Sequence, residues 1–107
     1  MIQVIIKEDN RKDIVYIQVK GHANSAEYGK DLVCAGVSTT CVGIANQLAN
    51  MGFLNKYGSI ELEEGYFKVD VHESMHDIQV VLETFETIMK TIELSYPKYI
   101  KIMKTEV

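Results

Sequence analysis

The stretch Gly21-His22-Ala23-Asn24-Ser25-Ala26-Glu27-Tyr28-Gly29-Lys30-Asp31-Leu32-Val33-Cys34-Ala35-Gly36-Val37-Ser38 marks where the hydrophobic pattern of the chain changes its period. Before it, Ile14-Val15-Tyr16-Ile17-Gln18-Val19 is rich in β-branched residues and offers Val15, Ile17 and Val19 to one face, a strand that Gly21 stops. After it, Val33, Val37, Cys41, Ile44, Leu48 and Met51 recur at intervals of three and four, the buried stripe of a helix. At about 100° per residue those six positions fall within a sector of about 80°, and Cys34 lies about 20° beyond its edge. Cys34 is therefore expected at the margin of the core, packed on one side and reachable from the other. Asp31 precedes the stripe and is expected to be the N-cap, its carboxylate accepting the open amides of the first turn.

Toward the N-terminus, Ile2, Val4 and Ile6 alternate with polar neighbours, and the polar residues 8–13 join this strand to the next as a hairpin. Toward the C-terminus, the first helix is expected to close around Asn55-Lys56-Tyr57-Gly58, with Gly58 in the left-handed conformation. Ser59-Ile60-Glu61-Leu62 and Tyr66-Phe67-Lys68-Val69-Asp70-Val71 flank Glu63-Glu64-Gly65 as a second hairpin, whose acidic tip reads as solvated. Ile78, Val81, Leu82, Phe85, Ile88, Met89 and Ile92 form the buried face of a second long helix, capped by Ser74 or Asp77 and closed by Pro97. Tyr99-Ile100-Lys101-Ile102-Met103 reads as a last short strand. The order ββαββα(β) predicts one α+β domain over residues 1–107, a mainly antiparallel sheet carrying two amphipathic helices.

Composition narrows the function. The 107 residues are 47% hydrophobic and 24% charged, ordinary for a globular domain. A net charge of −4 provides no positive field for direct binding to nucleic acid, while leaving a basic protein or peptide as a suitable partner. No apolar run is expected to approach the ~20 residues that span a bilayer, and the first residues read as a strand, without the layout of a cleavable signal. The expected setting is the cytoplasm, with both cysteines reduced. Cys34 and Cys41 stand seven residues apart on one helix, roughly 10 Å along its axis, too far for a disulfide.

The chemistry gathers at the change of period. With Asp31 as N-cap, Cys34 occupies the first turn, where open amides favour a thiolate and can stabilise an oxyanion. The residues alone leave a second reading open, that of a small buried hydrophobe. His22 stands twelve positions earlier, and a segment of that length can fold back to set imidazole beside thiol as general base; the alternative is a loop histidine bonded to backbone. Asp31 either orients His22 or only caps the helix. Ser38, one turn beyond Cys34, either bonds within the site or back to its own helix. Gly21 and Gly29 suit a segment over residues 23–30 that closes over a substrate, or plain turn geometry. Cys41 belongs to the core. His72 and His76 lack the spacing of a metal site, and no metal or cofactor is expected.

Gly21-His22-Ala23, Glu27-Tyr28-Gly29 and Asp31-Leu32-Val33-Cys34-Ala35-Gly36-Val37-Ser38 at this spacing resemble the ribosomal-processing cysteine protease family Prp (YsxB-like). The resemblance covers the length and element order of the whole chain and is most specific at the histidine and cysteine motifs. It implies a cytoplasmic endopeptidase that removes a short N-terminal extension from a large-subunit ribosomal protein, cutting after an aromatic-rich sequence. Cys34 then takes the role of nucleophile and His22 that of base, with Gly21, Asp31 and Ser38 in supporting positions. The resemblance also implies a homodimer. The competing reading from another class is a ribosome-associated module that holds a peptide in the same loop without cutting it.

Overall fold

Both hairpins form. β1 (Ile2–Glu8) pairs antiparallel with β2 (Ile14–Lys20), and β3 (Gly58–Glu63) pairs antiparallel with β4 (Tyr66–Val71). The computed structural model describes residues 1–21 and 28–107, the side chains of residues 28–30 excepted. The described strands make one five-stranded sheet in the order β3-β4-β2-β1-β5. β5 (Ile100–Glu106) runs parallel to β1, a pairing between the two ends of the chain that no local pattern announces.

Alternation places Ile2, Val4, Ile6, Ile17, Val19, Phe67 and Val69 in the core and leaves Gln3, Lys20, Ser59, Glu61 and Lys101 exposed on the other face. One irregularity changes the expected phase of β2. The register shifts between Lys7 and Glu8, so Ile14 rather than Val15 is buried at the start of the strand. The backbone of Ile14 is held there by Gln79, whose Oε1 accepts from the Ile14 N–H at 2.7 Å while its Nε2 donates to the Ile14 carbonyl at 2.9 Å. A buried glutamine thus takes both backbone polar groups of Ile14, where the β2–β4 ladder, which begins at Tyr16, offers no partner.

α1 (Tyr28–Asn50) and α3 (His76–Ser95) pack on the core face, and the short α2 (Phe53–Lys56) links α1 to β3. The predicted stripes hold: Val33, Val37, Cys41, Ile44 and Leu48 are buried in α1, and Ile78, Leu82, Phe85 and Met89 in α3. Met51, Val81, Ile88 and Ile92 are partly buried against the same core.

The helix ends differ from expectation. α1 begins at Tyr28, so Asp31 is not its N-cap but an exposed residue of the first turn. The Tyr28-Gly29-Lys30 segment, read as loop for its glycine, is helical despite a glycine propensity cost of about 1 kcal/mol. α1 also stops earlier, at Asn50, and the chain turns at Gly52 with φ +76°. Gly52, not Gly58, takes the left-handed conformation; Gly58 is the first residue of β3. Neither Ser74 nor Asp77 caps α3: the cap position is Met75, without a side-chain hydrogen bond, and the Ser74 hydroxyl accepts from Gln79 Nε2 at 2.9 Å.

One exclusion drawn from composition also needs correction. Asp31–Asn50, 20 residues containing an 18-residue stretch of mean hydropathy 1.4, is long and apolar enough to cross a membrane by length and composition alone. Serines, threonines and small residues break up its run of large apolar side chains without adding charge. In this fold Val33, Val37, Ile44 and Leu48 of that segment lie in the core, while Leu32 and Val42 are exposed.

Candidate active site

The C-terminal end of β2, the N-terminal ends of β1 and β4, and the β3–β4 turn lie at one end of the sheet, as the pairs Gln3–Lys20 and Lys20–Tyr66 require. The first half of α1 passes over them. Between helix and strand ends opens a cleft of about 510 Å³. Cys34, Val37, Ser38, Cys41 and Val42 line it from α1, Ile2, Val19 and Gly21 from the strand ends, and residues 62–67 from the hairpin tip.

Gly21 fixes where the chain leaves the sheet. Its φ is +94°, its N–H donates to the Gly65 carbonyl at 3.1 Å, and a Cβ would stand 2.9 Å from the Met1 carbonyl oxygen. Only glycine satisfies that conformation and that approach together. His22, the next residue, lies outside the described residues, as does the segment 23–27 singled out with it.

Cys34 is half-buried at the rim of the core and faces the cleft, the margin position its 20° offset implied. It is the seventh residue of α1, however, not the third. The open amides of a helix belong to its first four residues, so the Cys34 N–H is not one of them. Ser38 is exposed on the cleft wall one turn further on. Asp31 is exposed and is not among the lining residues. Cys41 reaches the cleft from within the core, 4% exposed, and burial pushes its thiol up to about 12. Neither cysteine is part of a disulfide.

The hairpin tip is where sequence reasoning fell short. Glu63 and Glu64 are exposed as expected, yet with Leu62, Gly65 and Tyr66 they form the wall opposite Cys34. A turn's composition does not say what it faces. Among the described residues no group of three or more His, Cys, Asp or Glu is placed to hold a metal ion; His72 follows β4 and His76 opens α3.

A family model described as Cysteine protease Prp matches residues 1–101. The chain belongs to that family. The ribosomal processing cysteine protease Prp of Bacillus subtilis (strain 168) is 32% identical over 107 residues, covering 95% of this chain and 96% of the relative. That of Staphylococcus aureus (strain Mu50) is 30% identical over 105 residues. The S. aureus Prp structure with a substrate peptide superposes with a TM-score of 0.83 at 28% identity, covering 97% of this chain and 99% of that one. The S. aureus structure with a covalently linked product peptide gives 0.81 at 29%. As a member of the Prp family the chain is a cysteine endopeptidase, a hydrolase of peptide bonds.

Two thiols in one cleft make a test of which is chemically available to this Prp-family chain. Iodoacetamide near neutral pH is expected to label Cys34 in the folded protein and to spare Cys41 until denaturant exposes it, because a buried thiol with so high a pKa holds almost no thiolate. Peptide mapping of the labelled chain reads the result.

Proposed function

We propose that this protein cuts a short N-terminal extension from a ribosomal protein precursor, with Cys34 as nucleophile and His22 as general base and acid. The observation that carries the reading is the place of Cys34, partly buried at the wall of the cleft. Gly21 lines the same cleft, so His22 follows directly from a residue of its wall. The S. aureus relatives were solved with a substrate peptide and with a covalently linked product peptide, which supports a peptide as ligand and a covalent intermediate as route.

In this mechanism the His22 imidazole takes the thiol proton and the Cys34 sulfur bonds to the carbonyl carbon of the scissile peptide, moving a charge onto its oxygen. Collapse of that adduct breaks the C–N bond as the imidazolium gives its proton to the leaving amine. The new N-terminus departs, and a thioester joins Cys34 to the extension. Water then attacks the thioester, His22 takes its proton, and the extension leaves as a carboxylate. The oxyanion is served by donors other than the Cys34 amide, which the helix has already engaged.

The setting we propose is the cytoplasm and the working unit a homodimer. The net charge of −4 supports a protein as the direct partner in place of nucleic acid. α1 carries no charged residue after Asp31 and exposes Leu32, which supports a protein contact on its outward face.

Mass spectrometry of the chain mixed with a peptide bearing an aromatic pair before the scissile bond separates protease from binding module. Cleavage gives two products, and His22→Ala is expected to slow their appearance by on the order of a hundredfold or more. Cleavage at an unchanged rate in His22→Ala would remove the histidine from the mechanism.

A further inference from the structure

An open sheet has two edges whose outward amides and carbonyls are templates for another strand. Here they belong to β5 and β3. Two backbone hydrogen bonds decide which residues face outward. The Ile2 N–H donates to the Tyr99 carbonyl at 2.9 Å, so alternation turns the polar groups of Ile100, Ile102 and Lys104 away from β1. The Ile102 N–H is then taken by Glu93 Oε2 of α3 at 2.8 Å. The chain thus caps this edge at Ile102 itself.

The other edge is different. The His72 N–H donates to the Tyr57 carbonyl at 2.7 Å, which makes Gly58–Val71 a non-hydrogen-bonded pair. Alternation makes Ile60–Val69 and Leu62–Phe67 pairs of the same kind, so the amides and carbonyls of Ile60 and Leu62 point outward. Among the described residues, none of these groups bonds to anything outside the sheet. The end of β3 is uncovered as well, with Glu61, Leu62 and Glu63 all exposed. Leu62 also stands in the wall of the cleft that holds Cys34.

We infer that the substrate peptide docks in extended form as a sixth strand on β3, exchanging backbone hydrogen bonds with Leu62. The inference rests on the reading of this cleft as the peptide site and adds how the peptide is held. Backbone pairing provides affinity without regard to sequence, and the two-residue period provides selectivity. One set of peptide side chains turns to the core side, toward Leu62, Val42 and Phe67; the other turns to the outer face beside Glu61 and Glu63. A peptide alternating apolar with basic residues fits both.

The test uses the full chain with Cys34→Ala and the peptide that the unmodified protein cleaves. Hydrogen exchange is expected to slow at the Ile60 and Leu62 amides when the peptide is added. Methylating single peptide nitrogens is expected to weaken binding by on the order of tenfold at alternate positions and little between them. Unchanged exchange along β3, with equal affinity for every methylated peptide, would overturn the inference. If those peptides are still cut by the unmodified chain and not by Cys34→Ala, the protease reading stands while strand addition falls.

Discussion

Cys34→Ala is expected to fold as the parent does and to lose peptide cleavage by at least on the order of a thousandfold. The two halves of that expectation come from one geometric fact. Cys34 is only partly buried, so removing its sulfur leaves no enclosed void and takes little from stability. The same sulfur is the atom through which the covalent route runs, and neither Ser38 nor Cys41 can replace it. Ser38 carries a poor nucleophile one turn away, and Cys41 keeps its proton up to about 12. Cys34→Ser tests the chemistry with the shape nearly kept, and its activity is expected to fall by a similar factor. Initial rates of product formation, compared with circular dichroism of the variants, measure both halves.

The largest stability effect is expected at Gly58, for want of space and not for its conformation. A Cβ at Gly58 would collide with the Asp70 carbonyl oxygen and the Phe53 ring. Phe53 is fully buried and Asp70 belongs to the paired strand, so neither can yield without disturbing α2 or the β3–β4 ladder. Gly58→Ala is expected to cost about 2–3 kcal/mol, as overpacking does, and to lower Tm by on the order of 10–20 °C for a domain of this size. Gly52 is the contrasting case. Its Cβ would meet only the Asn55 side chain, at 3.4 Å, and the cost there is conformational. Gly52→Ala is expected to lose about 1 kcal/mol, and Gly52→Asn less, since asparagine tolerates the left-handed region. Thermal melts that rank Gly52→Ala below Gly58→Ala in stability would contradict this account of the α1–β3 connection.

What could be read from the sequence was what local periodicity controls. The stripes of α1 and α3, both hairpins, the stop at Pro97 and the marginal place of Cys34 follow from spacing, because burial of one face is what fixes those elements. Helix ends were read less well. Tyr28-Gly29-Lys30 has the composition of a loop and is nonetheless helical, and the turn at Gly52 competes with a better-looking stop at Gly58, whose place against Phe53 and Asp70 no local pattern announces. The parallel β1–β5 pair joins residues about as far apart as the chain allows and has no sequence signal. The same holds for the site. Cys34 could be found from its angle on the helix, but the acidic turn opposite it could not, since long-range pairing of β4 with β2 brings Glu63 and Glu64 there.

The central claim is that Cys34 bonds to the substrate. Mixing the protein with a cleavable peptide, quenching rapidly in acid and mapping the digest by mass spectrometry tests it most directly. The account predicts that the fragment containing Cys34 carries the N-terminal product as a thioester, that the fragment containing Cys41 carries none, and that Cys34→Ala forms no adduct. Steady cleavage with no acyl group on Cys34, undiminished in Cys34→Ala, would contradict it.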